Sequence, residues 1–259
     1  MTVNAFLSMQ DGKSIFIPAN LKQNVRKLKR IRWKSFDVSP DNKWYKVKNG
    51  CLMSKAGDKL YGYVGMGTKV RIPKGVKYIA PYAFFYTKLE EIFVPKSVNG
   101  VGHDAFSFLY RIPAIRISEK NTQFVMENNC IYNKTTKRLV AAYGENGIIN
   151  IPDAVTCIKG GISYGHNGVS KIIFPKSLKK LKEYWSRGLC SDRKIQLIFQ
   201  TSNPPMFEHN TWLPYAVIYV PKGSKAKYEK IILENEMMLG NNIRLENEGP
   251  ALKRVVIER

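Results

Sequence analysis

The side chains that could carry out chemistry are few in this sequence and stand apart. His103, His166 and His209 are the whole supply of imidazoles. His103 adjoins Asp104, but the pair falls on a connecting segment between Val101 and Ala105, where polar side chains are expected to face solvent. A His-Glu-x-x-His metal motif, a Gly-x-Ser-x-Gly nucleophile turn and a glycine-rich phosphate loop are all missing from the sequence. Gly160-Gly161 and Gly65-x-Gly67 read as turns. Glu90 and Glu91 are neighbours along a strand pattern and so point to opposite faces, which makes them poor acid–base partners. Cys51, Cys130, Cys157 and Cys190 show no Cys-x-x-Cys spacing, which disfavours zinc and redox pairs. They read as buried thiols acting as small hydrophobes. The expectation is no enzyme, no metal and no cofactor.

Binding chemistry is better represented. Forty-two Lys and Arg against 20 Asp and Glu give a net charge of +22. Such an excess favours polyanionic partners, although it also serves solubility alone. The densest cluster is Lys22, Arg26, Lys27, Lys29, Arg30, Arg32 and Lys34, with no acid among them and Trp33 inside it. Trp33 and the nearby Phe36 could stack on a sugar or a base, and the cations could neutralise sulfate or phosphate in a salt-sensitive way. A solvated arc is the competing reading of the same run.

The elements that would position such groups are set by a repeat. Ile72-Pro73-Lys74-Gly75-Val76, Val94-Pro95-Lys96-Ser97-Val98, Ile151-Pro152-Asp153-Ala154-Val155 and Phe174-Pro175-Lys176-Ser177-Leu178 share one pattern. Ile17-Pro18 and Val220-Pro221 are partial copies. Pro73 to Pro95 is 22 residues and Pro152 to Pro175 is 23. A longer period overlies the short one. Asn42, Cys51, Leu60, Pro73, Val76 and Ile79 recur as Asn121, Cys130, Leu139, Pro152, Val155 and Ile158, each 79 residues on.

Leu89 to Pro95 alternates apolar and exposed positions, the period of a strand, and the proline ends it because it cannot donate to the next ladder bond. The following Val-x-x-Val/Ile pairs pack inward along a connecting arc, and Ala83-Phe84 and Ala105-Phe106 add one small and one large core group per turn. A single turn cannot bury its apolar edge, so the turns must stack. Residues 40–65 and 119–147 read as inserted β-hairpins, marked by Asn49-Gly50 and Asn128-Asn129. A helix is expected over Lys225 to Leu239, where it could cap the open end. The expected fold is a β-rich, right-handed solenoid of short parallel strands. Residues 1–230 form the solenoid and 231–259 the cap and tail.

Strand alternation then defines an outward column. Taking Ile92 and Val94 as inward leaves Glu91 and Phe93 facing out. The same register gives Lys69 and Arg71, Ala114 and Arg116, Lys171 and Ile173, Lys194 and Gln196, and Val217 and Tyr219. Arg71, Phe93, Arg116, Lys171, Ile173, Lys194, Gln196 and Tyr219 form the candidate ligand face, since Arg, Lys and aromatic groups are the stuff of interfaces.

Residues 89–106, reading Leu-x-x-Ile-x-Val-Pro-x-x-Val-x-x-Val-Gly-x-x-Ala-Phe, resemble the unit of the BspA-type leucine-rich-repeat family. The segment holding Asn121, Phe124, Cys130-Ile131-Tyr132 and Leu139 resembles that family's hairpin between repeats. Pro204-Pro205 followed by Tyr219-Val220-Pro221-Lys222-Gly223-Ser224 and Tyr228 resembles its usual ending. The resemblance covers about residues 5–230. Two coils depart from it, with Trp185-Ser186 and Ile162-Ser163 in place of Ala-Phe, and are expected to be distorted. Residues 22–36 lack the pattern.

The resemblance implies a secreted or surface protein of gut and oral bacteria of the Bacteroides type, engaged in adhesion through a protein ligand or a host extracellular component. An acidic polysaccharide is the second partner class, ahead of nucleic acid. No stretch is apolar enough to span a membrane. Met1 to Gly12 show neither a basic leader nor an apolar core, and Ala5-Phe6 already closes a unit, so the expectation is either that a preceding coil has been removed or that the start lies further upstream.

Overall fold

The structure, a computed structural model, describes residues 14–22, 35–65, 67–107, 109, 113–162, 168–183, 185–186, 189, 195–208, 211, 213–214, 216–238 and 255–259. The chain divides into two compact units, Met1–Phe124 and Val125–Arg259. Both are built from parallel strand ladders, as the repeat requires.

In the first unit the strands are β1 (Ser14–Ile17), β2 (Ser35–Val38), β3 (Tyr45–Lys48), β4 (Cys51–Ser54), β5 (Lys59–Tyr63), β6 (Lys69–Arg71), β7 (Tyr78–Ile79), β8 (Glu91–Val94), β9 (Gly100–Val101) and β10 (Ala114–Ile117). Strands β6, β8 and β10 form one parallel ladder, with Val70, Ile92 and Ile115 in register and buried. Arg71 stands opposite Phe93, so Pro73 and Pro95 close adjacent rungs. The apolar arc residues form a second ladder, in which Leu60, Ile79 and Val101 are aligned on β5, β7 and β9 and lie inside. Between the ladders Phe84 and Phe106 stack at 5.4 Å, nearly parallel, and are almost wholly buried.

Each proline also starts a turn. The carbonyls of Pro18, Pro73 and Pro95 accept from the amides of Leu21, Val76 and Val98, three residues on. In the second unit Pro152, Pro175 and Pro221 accept from Val155, Leu178 and Ser224 in the same way. The proline thus ends the strand by lacking a donor and begins the arc through its acceptor.

The second unit contains β11 (Phe124–Glu127, which starts on the last residue of the first unit), β12 (Cys130–Asn133), β13 (Arg138–Ala142), β14 (Ile148–Asn150), β15 (Cys157–Ile158), β16 (Lys171–Phe174), β17 (Lys180–Leu181), β18 (Ile195–Phe199), β19 (Met206–Phe207), β20 (Ala216–Val220), α1 (Lys225–Met238) and β21 (Val255–Glu258). Its main ladder runs β14-β16-β18-β20-β21, and its second runs β11-β12-β13-β15-β17-β19.

The inserts are more than appended hairpins. Strands β3, β4 and β5 form an antiparallel meander, and β5 then pairs in parallel with β7. Strand β13 does the same with β15. Each insert is therefore the founding edge of an arc ladder. The tight turns are as expected from composition: Asn49 and Gly50 have φ of 50° and 70°, and Asn128 and Asn129 have 49° and 56°.

Three expectations need correction. The coil carrying Trp185-Ser186 keeps its ladder: Trp185 is fully buried against Phe174, and Ser186 is buried beside it. Relative to Ala105-Phe106 the large and small groups have exchanged places, so the coil still contributes one large and one small buried group. Asp104 does not face solvent. It is buried, has a φ of 54°, and accepts from the Ser107 hydroxyl while facing His103. Tyr82 and Gly161, at the same position of other coils, also have positive φ, 58° and 84°. This turn position demands the left-handed conformation whichever residue fills it. Finally, α1 does not end the fold. Its Tyr228 and Ile232 are buried in the common core, and the chain then returns as β21, parallel to β20, an added rung that the sequence pattern did not signal.

Candidate functional site

The outward positions of the two main ladders make two faces of different character. In the first unit Arg71, Phe93 and Arg116 occupy one row across β6, β8 and β10. Lys69, Glu91 and Ala114 form the row beside it. The Arg71 guanidinium lies 4.4 Å from the centre of the Phe93 ring, in cation–π contact. Glu91, half-buried, meets Lys69 Nζ at 3.6 Å and Arg116 Nε at 3.7 Å. The Lys69 and Arg116 side chains are each 71% exposed. Two cations therefore flank one acid, and a third lies over a half-buried ring.

In the second unit the row in register with Ile173 is Ile198 on β18, Tyr219 on β20 and Ile257 on β21. None of the four belongs to the core cluster, whose contributions from these strands are Ile172, Phe174, Ile195, Leu197, Phe199, Ala216, Ile218, Val220 and Val256. Ile257 is 39% exposed, Ile173 and Tyr219 are half-buried, and Ile198, flanked on both sides, is 5% exposed. Lys171, Gln196 and Val217 align in the neighbouring row.

The expected residues thus fall into two groups. Arg71, Phe93 and Arg116 come together, and so do Ile173 and Tyr219. Gln196 faces outward but stands beside Lys171, one pleat from the expected place, and Lys194 lies outside the described residues. Ile198 and Ile257 were not anticipated. Strand β18 reads Ile-Gln-Leu-Ile-Phe, and its apolar residues on both faces hide the alternation that would have marked Ile198. Of the basic cluster only Lys22 is described; it is exposed, with Nζ 6.0 Å from the Trp44 ring centre. Arg26, Lys27, Lys29, Arg30, Arg32, Trp33 and Lys34 lie outside the described residues.

Burial pushes the Cys51 and Cys130 thiols up to about 12 and also raises Cys157, so none is activated as a nucleophile. Among the described residues no three His, Cys, Asp or Glu converge as a metal site. No helix among them is long and apolar enough to cross a membrane.

Stacked parallel rungs, proline-opened turns after six of them and an outward strand face define a leucine-rich-repeat β-solenoid. The model of the BspA type leucine rich repeat region matches residues 2–137 in six copies. The chain belongs to that family. No curated protein matches it. It is similar to the solved structure of the pneumococcal vaccine antigen PcpA at 14% identity and a TM-score of 0.38, over 96% of this chain and 56% of that one. It is also similar to a leucine rich cell surface protein of Faecalibacterium prausnitzii (16%, TM-score 0.37, 84% and 50% coverage) and to a leucine-rich repeat protein of Eubacterium ventriosum (18%, 0.33, 66% and 51%). The chain spans about half the length of these structures, and the family assignment does not rest on them.

Proposed function

We propose that this chain is a non-enzymatic binding module of the bacterial cell surface, acting in protein–protein interaction or adhesion through the strand face. The observation that carries the reading is the row Ile173–Ile198–Tyr219–Ile257. A strand face that meets only water has no use for four large apolar groups in one line. An apolar centre with Lys171 and Gln196 at its side has the composition of an interface core and its rim.

The test uses biotinylated surface proteins of epithelial cells and of bacteria, captured on the purified protein and identified by mass spectrometry. Tyr219→Ala and Ile173→Ser should each weaken retention of the same captured species about tenfold or more, as for residues at the centre of an interface. Identical capture by wild type and both variants would rule this face out. A second reading places a polyanion on the cluster Lys22 to Lys34, favoured by seven cations without an acid. Arg26, Lys27, Lys29 and Arg30 changed together to Ser should then abolish salt-sensitive retention on heparin, and retention that survives the change would dismiss it.

A further inference from the structure

We infer that the turns following β7 and β9 in the first unit form a binding site for a neutral sugar, built from the rings of Tyr82, Phe85 and Tyr86 beside His103. The site belongs to the connecting arc and not to a strand face, so it stands or falls apart from the protein-binding proposal.

Two side chains converge on His103 from a costly backbone position. Where the second unit has Gly161, the coils of the first unit carry Tyr82 and Asp104, with φ of 58° and 54°. The left-handed conformation suits glycine and is costly for a bulky residue. Both side chains spent there meet the same imidazole. The Tyr82 ring stands nearly perpendicular to it, with centroids 5.2 Å apart. The buried Asp104 carboxylate has Oδ2 3.1 Å from His103 Nδ1. Gly102 lets the two turns come together, since a Cβ there would lie 2.5 Å from Pro81 Cδ. A carboxylate only accepts, so Nδ1–H donates to it, which fixes the ring's orientation with Nε2 opposite the carboxylate. Strain of this kind, held in place by the surrounding fold, gathers at functional sites.

The rings continue outward from there. Phe85 meets Tyr82 at 5.9 Å, nearly perpendicular, and Tyr86 meets Phe85 at 4.1 Å. Tyr86 is 44% exposed and is itself left-handed, with φ of 55°. Tyr82, Phe85 and His103 are half-buried. A sugar ring offers C–H bonds that an electron-rich aromatic face attracts, and hydroxyls that a fixed imidazole can bond. Aromatic walls with a few placed polar groups are the usual lining of a small-ligand site. The charge points to a neutral ligand. In a chain of net charge +22, none of these side chains is Lys or Arg, and Asp104, the acid among them, is buried. A stable protein interface needs about 800 Å² from each partner, far more than four partly exposed rings provide.

The probes are maltotetraose, cellotetraose and triacetylchitotriose, each titrated into the full chain while the aromatic and imidazole resonances are followed by NMR. At least one should bind and shift the His103 ring signals. Tyr86→Ala and His103→Gln should each weaken that binding about tenfold or more, through a lost ring face and a lost hydrogen bond. Tyr82→Gly installs the residue that Gly161 supplies at the equivalent turn, so the coil should stay folded while binding falls as far. Phe16→Ala removes an exposed ring from β1 and should change affinity less than about twofold. Binding of none of the three sugars would overturn the assignment, and so would binding that survives Tyr82→Gly or His103→Gln. If no sugar binds and Tyr86→Ala instead weakens capture of surface proteins, the occupant is a protein and the sugar site is refuted. Tyr219→Ala should leave sugar binding unchanged, which keeps the two proposals separable.

Discussion

Residues 35–79 and 114–158 are two copies of one plan that have kept an interior and changed a surface. Six strands, β2 to β7, recur as β10 to β15 with every boundary displaced by 79 residues. Inside, Cys51, Leu60, Val76 and Ile79 have counterparts of the same type, all buried in both copies. Outside, Lys69 and Arg71 of β6 become Ile148 and Asn150 of β14. Positions that meet neighbouring coils are held by packing density, which tolerates little change of shape. Outward positions meet solvent and can vary without disturbing the stack. One scaffold can thus present a cationic face and an apolar one.

The copies also share a device that holds the insert to the preceding coil. Asn42, fully buried, donates from Nδ2 to the carbonyls of Pro18 and Leu21, while its Oδ1 accepts from the amides of Trp44 and Tyr45. Asn121 repeats all four bonds with Pro95, Val98, Gln123 and Phe124. Replacing either by Ala strands buried backbone groups and should cost about 3 kcal/mol, read from denaturant midpoints. Losses differing by more than about 1 kcal/mol would break the equivalence of the copies.

The hairpin turns should respond unequally. A Cβ on Gly50 would lie 2.6 Å from the Gly65 amide nitrogen, and the φ there is +70°. Giving Gly50 the residue of the other copy, Gly50→Asn, should therefore cost about 2 kcal/mol. The reverse exchange, Asn129→Gly, should stay within about 1 kcal/mol. A costless Gly50→Asn would show that the two turns are interchangeable.

The buried thiols should behave alike in both copies. With pKa values raised to about 12, Cys51 and Cys130 stay neutral in the folded protein and should resist alkylation at pH 8, where Cys157 reacts faster. The folded-state value lies above the unfolded one of about 8.5, so the stability tied to the neutral thiols is complete below that pH. It is then lost as pH rises towards 12. Replacing both by Ala should flatten this alkaline decline, and an unchanged pH profile would refute it.

The smallest effect is expected where the copies differ most. Arg71→Asn and Asn150→Arg exchange the two faces at one position and should each change stability by less than about 0.5 kcal/mol. Larger losses in thermal scans would mean that the faces are structural after all.

The rungs, their proline turns and the inward or outward sense of each strand were legible because they depend on local rules: a period of two, a missing donor, a residue that tolerates positive φ. The two cationic partners of Phe93 were legible for the same reason. Ile198 was not, because a slip of two residues preserves which face a side chain takes and leaves the hydrophobic pattern unchanged. Only hydrogen-bonded register places it between Ile173 and Tyr219. Strand β21 was equally hidden, since Val-Val-Ile-Glu becomes a rung only when β20 offers it an edge. The amino-acid order alone decided that this chain must coil and stack, since no single turn can bury its own apolar edge. Which outward side chains stand side by side was decided by the fold, because adjacency across rungs comes from pairing between residues 20 or more apart, and no local pattern encodes that offset.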